Sequence, residues 1–349
     1  MEKNSEYVVI ADALLAENGF VTDRAVRIKD GFIADITARA QASDKVYVLD
    51  FSGHSIAPCF CDYHLHFFQR STEKIGEITD HLTKSGISKV YEGGDAHGCG
   101  MEVKKAVADR LAVQTSGYAL YRKGSYGGYI GREVSTLREA EYMIEALYQS
   151  GPDYIKVVNS GVFEPVAGTI SSGRFTFHEL KHIVACAGAK GLDVACHANG
   201  DESVRDAVKA GVSFIVHGLG VSSASLALMA ERGTAFIPTV NAFASLAAKE
   251  SEKMARENIR EAVAQHLAAV KNACDRGVRV LPGSDAGAAV IPYGTSFVRE
   301  LNLFEEAGMS IEKILLSAAA GTLEPEAKAD FLILEGLTVK HVVRGGVFL

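Results

Sequence analysis

Eight apolar segments of strand length recur between residues 55 and 283, and an amphipathic helical pattern follows most of them. The predicted strands cover residues 55–61, 87–92, 111–121, 154–159, 193–197, 214–217, 235–240 and 278–283. Strands that alternate with helices indicate a parallel sheet with helices packed against it. An open doubly wound sheet also accommodates this order, but eight strand–helix units in about 270 residues is the size of a barrel. We therefore predict an α/β fold with a (β/α)8 TIM-type barrel over residues 54–328.

The segments between these strands carry the signals with which helices begin. Thr136 is followed three residues later by Glu139, and Thr176 by Glu179, which is the spacing of a capping box. Apolar residues at helical spacing predict further helices over residues 73–85, 202–210, 223–232, 251–276 and 311–319.

The two ends of the chain have a different pattern, in which short apolar or alternating runs are separated by tight turns. Strands are predicted at residues 7–10, 25–29, 32–37, 46–50, 331–334 and 341–344, with turns at Asp30-Gly31 and Gly345-Gly346. Neither end has enough strands to be stable alone. We therefore expect both ends to pair in one small sheet, so that residues 1–53 and 329–349 form one domain and residues 54–328 another.

Composition and charge argue against several kinds of partner. The formal net charge of −7 leaves no basic excess to replace the counterions of a nucleic acid. No apolar run approaches the roughly 18–20 residues that span a bilayer, and residues 1–6 are polar with no signal-peptide core. The 6 cysteines are scattered, so we expect reduced thiols in the cytoplasm. The sequence leaves the oligomeric state open and is compatible with a homo-oligomer that acts on a small molecule.

Side chains that can bind metal ions lie near the ends of the predicted strands. The predicted ligands are His64, His66, Lys156, His197, His217 and Asp285. His64 and His66 are two positions apart, so on a strand both point to the same face. In a barrel the carboxyl ends of all strands meet on one face, where function resides. Any one of these residues alone would more often be structural, but together they indicate a metal site.

Loops that follow the predicted strands supply candidate substrate contacts. The candidates are His97, Tyr121, Arg122, Asn159 and Tyr293. An arginine fork binds a carboxylate through two parallel hydrogen bonds, so Arg122 could recognise an anionic substrate. The alternative is that Arg122 and the neighbouring Lys123 are solvated loop charges, because connecting segments run over the protein surface.

Several of these segments resemble the metal-dependent amidohydrolase superfamily. Residues 58–66, Pro-Cys-Phe-Cys-Asp-Tyr-His-Leu-His, are similar to its first-strand signature. Residues 197–200, His-Ala-Asn-Gly, and the later His217-Gly218 resemble strands five and six of its dipeptidase- and imidazolonepropionase-like branch. Residues 329–334, Ala-Asp-Phe-Leu-Ile-Leu, also fit, so the resemblance covers nearly the whole chain. It implies a (β/α)8 barrel with a small β-sandwich domain formed by both termini.

The resemblance also implies a binuclear metal centre bridged by a carbamate on Lys156. One ion would be held by His64, His66 and Asp285, and the other by His197 and His217. Zinc is the expected metal, and iron, manganese or nickel suit the same ligands. A water between the ions would become a hydroxide near neutral pH and attack a carbonyl, with Asp285 as general base and then general acid. The alternatives for Lys156 are a buried amine paired with a carboxylate, or simply a lysine at the end of a strand.

We therefore predict a metal-dependent hydrolase of a carbon–nitrogen bond outside protein chains, in an amide, a cyclic amide, a dipeptide or an N-acyl amino acid. One alternative is an aminohydrolase that deaminates a small ring. Such enzymes carry a glutamate a few residues after the fifth-strand histidine, a pattern that residues 198–202, Ala-Asn-Gly-Asp-Glu, do not match cleanly. The other alternative is an inactive barrel-fold binding protein, against which the intact ligand set argues.

Overall fold

A computed structural model describes residues 6–39, 46–68, 71–248, 250–288 and 291–349. The strands, in chain order, are β1 (Glu6–Ala16), β2 (Gly19–Thr22), β3 (Arg24–Lys29), β4 (Phe32–Ala38), β5 (Tyr47–Pro58), β6 (Phe60–Leu65), β7 (Ile87–Glu92), β8 (Ala112–Thr115), β9 (Ala119–Arg122), β10 (Gly131–Val134), β11 (Tyr154–Val158), β12 (Phe163–Glu164), β13 (Thr169–Ile170), β14 (Asp193–Ala198), β15 (Phe214–His217), β16 (Ala235–Ile237), β17 (Phe331–Glu335), β18 (Thr338–Arg344) and β19 (Val347–Phe348). The helices are α1 (Thr72–Lys84), α2 (Cys99–Ala106), α3 (Leu137–Ser150), α4 (Phe177–Gly188), α5 (Asp201–Ala210), α6 (Ser223–Arg232), α7 (Val240–Ala247), α8 (Lys253–Asp275), α9 (Thr295–Glu306) and α10 (Ile311–Ala318).

Both ends of the chain meet in one eight-stranded sheet with the order β19-β18-β17-β5-β1-β3-β4, in which β2 also pairs with β1. β5 links the two ends, because it runs parallel to β1 and antiparallel to β17. The buried hydroxyl of Tyr7 donates a hydrogen bond to the carbonyl of Gly346 (2.7 Å), which fastens the first strand to the last turn. The predicted domain boundary at residue 53 falls inside β5, and the division into two domains stays a prediction.

The strand predicted at residues 55–61 is divided between two sheets. Residues 55–58 end β5 in the terminal sheet, whereas β6 begins at Phe60 and pairs with β7. Phe60 N donates to the carbonyl of Gly86 (2.8 Å) and so starts the new pairing. Both parts are buried, so a continuous apolar run does not reveal the break at Cys59.

The middle of the chain forms two sheets of parallel strands. One has three strands in the order β6-β7-β8, and the other has six in the order β10-β9-β11-β14-β15-β16. The strand predicted at residues 111–121 is interrupted by Gly117, whose φ of +71° favours glycine. Its first half, β8, pairs with β7, and its second half, β9, pairs with β11. The predicted α/β class is therefore confirmed.

The eighth predicted strand, at residues 278–283, does not form a regular strand. The segment 278–286 nevertheless lies between β16 and β6. On one side Leu281 N donates to the carbonyl of Phe236 (2.8 Å), and on the other Tyr63 N donates to the carbonyl of Pro282 (2.9 Å). These bonds bridge the two parallel sheets without continuous strand pairing, so a closed barrel stays a prediction.

The predicted helices form, and most of their ends lie within two residues of the predicted positions. The box at Thr176 is complete, because its hydroxyl accepts from Glu179 N while the Glu179 carboxylate accepts from Thr176 N (2.7 Å). At Thr136 only half forms, since the Glu139 carboxylate accepts from Ser135 N instead (2.8 Å). Helices α2, α7 and α9 lie outside the predicted helices. In each of them the N-cap side chain accepts no hydrogen bond from the first turn, so the usual start signal is missing.

Two further properties bear on the expectations from composition. Among the helices within the described ranges, none combines the length and the hydropathy that crossing a bilayer requires. No disulfide bond joins any of the cysteines in the part of the chain that the structure describes.

Candidate metal centre

Four histidine rings meet where β6, β14 and β15 end. His64 lies near the end of β6 and His66 directly follows that strand, while His197 lies in β14 and His217 ends β15. The ring centroids of His64 and His66 are 4.9 Å apart, and those of His197 and His217 are 4.6 Å apart. The two pairs join through His64 and His217, whose centroids are 5.4 Å apart. The structure thus brings together the four histidines that the sequence singled out.

Lys156 and Asp285 line the same small cavity as the four rings. Lys156 is 1% exposed, and its Nζ has no hydrogen-bond partner among the described residues. Asp285 Oδ1 lies 3.4 Å from His64 Nε2 and 3.7 Å from His66 Nε2, which is longer than a good hydrogen bond. Separations of this size suit donor atoms that share an ion at bond lengths of about 2.0–2.2 Å. All six predicted ligands therefore surround one cavity of about 40 Å³.

The histidines are held in the form that binds metal ions. Burial lowers the pKa of His66 to about 4 and that of His197 to about 3, and it lowers those of His64 and His217 well below the usual value. All four imidazoles are therefore neutral at pH 7, so the contacts of His64 and His66 with the carboxyl group of Asp285 are not ion pairs. Neutral imidazole is the metal-binding form, since a protonated ring has no free lone pair.

In both His66 and His197, one ring nitrogen already forms a hydrogen bond with a backbone carbonyl. His66 Nδ1 donates to the carbonyl of Gly94 (2.8 Å), which leaves Nε2 for the cavity. His197 Nε2 donates to the carbonyl of Gly161 (3.0 Å), which leaves Nδ1. A hydrogen bond of this kind fixes both the tautomer and the orientation of a metal-binding histidine. The two rings are therefore positioned to bind through opposite nitrogens.

Two buried polar residues behind His217, Thr239 and Glu300, were not predicted from the sequence. His217 Nδ1 lies 2.7 Å from Thr239 Oγ1, at hydrogen-bond distance, and both residues have positive φ (+70° and +50°). The carboxylate of Glu300 accepts from Val240 N (2.9 Å) and Asn241 N (2.7 Å), which fixes the start of α7 directly after Thr239. Glu300 thereby holds the turn that carries the Thr239 hydroxyl. A local sequence motif does not reveal this contact, because Glu300 lies 60 residues from Val240 in the chain.

We expect Thr239→Val to weaken metal binding at the position of His217. Valine keeps the shape of threonine but removes the hydroxyl that orients the ring, and loss of such a partner typically costs about 10–100-fold in metal affinity. Competition titration with a chromogenic chelator measures this affinity directly. Thr239→Ser is the matched control, because it keeps the hydroxyl and should retain most of the affinity. Equal affinities in both variants would contradict an orienting role for the hydroxyl.

Two glycines make room for the histidine pair. A Cβ atom on Gly93 would lie 2.7 Å from His64 Cε1 and 2.8 Å from His66 Cε1. A Cβ atom on Gly283 would lie 2.9 Å from His64 Cβ. All three separations are shorter than real contacts of this kind, so a larger residue at either position would displace the histidines. The sequence signal for Gly93 is its place directly after the predicted second strand, in the pair Gly93-Gly94.

Three of the predicted substrate residues make contacts within the protein. The Tyr293 hydroxyl donates to the carbonyl of His66 (2.7 Å) and so supports a ligand from behind. Asn159 is fully buried, where its side chain accepts from Phe175 N (3.1 Å). Arg122 Nε lies 3.3 Å from the Glu179 carboxylate at the start of α4. Binding of a substrate carboxylate by Arg122 would require that ion pair to open.

The described lining of the cavity differs from the loop residues predicted to contact substrate. Besides the six predicted ligands it consists of Phe68, Tyr126, Tyr129, Ile130 and Ala288. His97 is exposed, and Tyr121 is half-buried beside Gly127. The Tyr126 ring lies over His197 with the centroids 5.5 Å apart. Tyr126 and Tyr129 lie in the segment that follows β9, the strand that carries Tyr121.

Parallel strands alternate with helices, and imidazole, amine and carboxyl groups gather at the ends of those strands, which is the arrangement of a metal-dependent hydrolase. The chain belongs to the amidohydrolase family, whose sequence profile matches residues 55–349. Membership confirms both the predicted superfamily and the predicted activity class, hydrolysis of carbon–nitrogen bonds. It does not favour the two alternatives, ring deamination and an inactive binding protein.

Individual relatives are similar over nearly the whole chain. An ochratoxinase of Aspergillus niger is 24% identical over an alignment 382 positions long, gaps included, which covers 94% of this chain and 79% of the relative. The crystal structure of a Xaa-Pro dipeptidase with bound methionine in its active site superposes with a TM-score of 0.83 at 23% identity, covering 99% of this chain and 100% of the other. The crystal structure of the Aspergillus niger ochratoxinase superposes with a TM-score of 0.79 at 20% identity, covering 99% and 96%. At these identities the superpositions establish a shared fold.

Proposed function

We propose that this protein hydrolyses the amide bond of a small dipeptide, N-acyl amino acid or cyclic amide at a binuclear divalent-metal centre. The observation that carries the proposal is Lys156, a buried amine without a hydrogen-bond partner in the described structure, on a cavity lined by four neutral histidines. Two of the similar proteins are an ochratoxinase and a Xaa-Pro dipeptidase, which supports a small amide or dipeptide as the substrate.

The side chains around the cavity fit two divalent ions. One ion would be held by His64, His66 and Asp285, and the other by His197 and His217. Imidazole and carboxylate donors suit zinc, and they also accept iron, manganese or nickel. The ions would supply a nucleophile from water at neutral pH and polarise the scissile carbonyl.

Carboxylation would give Lys156 the partners that its amine lacks. The neutral amine adds carbon dioxide and releases one proton, which leaves an N-linked carboxylate with two oxygen donors. Burial lowers the pKa of Lys156 to about 8, so far more of the reactive neutral amine is present at pH 7 than in an exposed lysine. An anion at this position would lie between the two sets of ligands and offset the charge of both ions.

Asp285 is the residue placed to move protons during the reaction. Its backbone N donates to the carbonyl of His64 (2.8 Å), so the carboxyl group is held against the histidine pair. Burial raises the pKa of Asp285 to about 7, and the nearby Lys156 opposes that rise. A carboxylate that holds an ion through one oxygen can accept a proton from the attacking water on the other and deliver it to the departing nitrogen.

The aromatic side chains at the cavity would have to move before a substrate binds. A cavity of about 40 Å³ is far smaller than the roughly 300–1,000 Å³ of pockets that hold small molecules. Tyr126 and Tyr129 lie in a loop that contains Gly124 and Gly127, both with positive φ. Displacement of these two rings would open the cavity and leave them against the acyl group of the substrate.

The same proposal includes the finer features of the fold. The two parallel sheets and the segment 278–286 would together act as one (β/α)8 barrel, with residues 1–53 and 329–349 as a small β-sandwich domain. The hydrogen bonds of the segment 278–286 to both neighbouring strands support the first point. The eight-stranded sheet of the two ends supports the second. A cytoplasmic location fits the absence of disulfide bonds among the described residues.

We expect metal-loaded protein to hydrolyse members of a panel of dipeptides, N-acyl amino acids and lactams, and chelation to abolish that activity. Metal analysis of protein purified without chelator should find up to two transition-metal ions per chain, and added zinc or manganese should restore activity after chelation. His64→Ala should lose at least one ion. Protein that holds no metal and is not activated by added metal would contradict the proposal.

A further inference from the structure

We propose that Glu141, His182 and Cys186 form a second divalent-metal site, on the surface where α3 and α4 pack together. Glu141 lies on α3, and His182 and Cys186 lie one turn apart on the same face of α4. The ligand atoms of the three side chains all lie within 4.8 Å of one another. None of them belongs to the candidate catalytic centre.

The distances between the donor atoms match a tetrahedral zinc site. Zinc bonds of about 2.0–2.3 Å at tetrahedral angles place donor atoms roughly 3.3–3.7 Å apart. His182 Nε2 lies 3.5 Å from Cys186 Sγ, which is already within that range. His182 Nε2 lies 2.7 Å from Glu141 Oε1, so that contact has to open by roughly half an ångström when an ion replaces the shared proton. His182 Nε2 therefore lies close to both of the other donor atoms.

The kind of donor decides which ion fits. A thiolate together with an imidazole favours zinc over magnesium or calcium, which prefer oxygen ligands. Three protein donors leave a fourth position, and water can fill it because the side chains of His182 and Glu141 are 33% and 52% exposed. The thiol of Cys186 would release its proton when the ion binds. The bound ion would then join α3 to α4.

Lys190, which follows the end of α4, does not occupy this position. The ammonium group of Lys190 forms an ion pair with Glu145 of α3 and lies over the Tyr148 ring, 5.0 Å from its centroid. Its charge is thus engaged one turn further along α3, beyond the end of α4. This leaves Glu141 with His182 as its described polar partner, and a metal ion would not have to displace Lys190.

Alkylation of Cys186, followed by mass spectrometry of the peptide that contains it, tests the site in the full-length protein. Zinc at 100 times its dissociation constant should slow the reaction about a hundredfold, because only the unoccupied site reacts. Cys274 is the matched control, since it is also half-buried on a helix and lies outside the cluster. Alkylation of Cys274 should not respond to zinc. In His182→Gln the protection of Cys186 should be lost.

The absorption spectrum of cobalt(II)-loaded protein gives a second measurement, to which the candidate catalytic centre does not contribute. A cobalt–thiolate bond produces a charge-transfer band in the near ultraviolet, whereas the six candidate catalytic ligands contain no sulfur. The band should be present in the wild-type protein and in Cys274→Ser, and absent in Cys186→Ser, which should keep its hydrolytic activity. The proposal is overturned if zinc leaves the alkylation of Cys186 unchanged, or if the band persists in Cys186→Ser.

Discussion

We expect Lys156→Ala to lose at least one metal ion per chain and to lower kcat by at least about 10²–10³-fold, the effect of removing one strong electrostatic contact from an active site. Alanine removes the side chain that would lie between the two sets of ligands, so the repulsion between two dications is no longer offset. Metal analysis and turnover, measured on the same preparation, give both quantities.

Two control variants separate chemistry from folding. Lys156→Met keeps the length and burial of the side chain but cannot be carboxylated, so it should lose metal in the same way. Lys253→Ala changes a lysine whose side chain is 85% exposed and should have no effect. Propionate, added to Lys156→Ala, can enter the vacated space and supply two oxygen donors, and it should restore part of the activity. Two bound ions with normal turnover in Lys156→Ala would refute the bridging role.

Asp285→Asn should keep much of the metal and lose about 10²–10⁴-fold in kcat, which is the usual contribution of a general acid–base group. Asparagine can still offer a carbonyl oxygen as a ligand, but it cannot accept and return a proton. Equal losses in kcat and kcat/KM are expected, because the interaction is made in the transition state. Stopped-flow or steady-state kinetics on metal-loaded protein measure both.

Asp275→Asn is the matched control, since Asp275 forms an exposed pair with Lys271 at the end of α8. It should leave both kinetic constants unchanged. Metal loss in Asp285→Asn would assign the residue to coordination alone. Unchanged turnover with the metal retained would mean that another group moves the proton.

That these candidate ligands gather at one cavity could be predicted, because strand geometry strongly constrains where their side chains lie. His64 and His66 share a face by the two-residue period of a strand, and His197 and His217 follow apolar runs whose ends meet at one edge. Lys156 lay within an apolar run, where a charged side chain is conspicuous. These signals are local in sequence, so they need no knowledge of the packing.

The residues that support the ligands could not be predicted, because their partners are distant in the chain. Thr239 becomes relevant only when β15 and β16 pair, and Glu300 only when α9 packs against α7. Arg122 is the converse case, because this cation is close to the site in sequence but its guanidinium lies beside Glu179. A local motif specifies a residue type, whereas the direction of a long side chain depends on which counter-charge packs nearby.

The segment 278–286 joins the last part of the parallel core to its first strand. Ser284 Oγ donates to the buried carboxyl group of Asp62 (2.5 Å) across 222 residues of chain. Contacts of such large sequence separation carry the highest loop-closure cost and tend to form late in folding. A metal ion shared by His64 and Asp285 would tie the same junction, so its binding free energy would add directly to the stability of the native state. The concentration of free metal would then set the fraction of chains in which these two core segments stay joined.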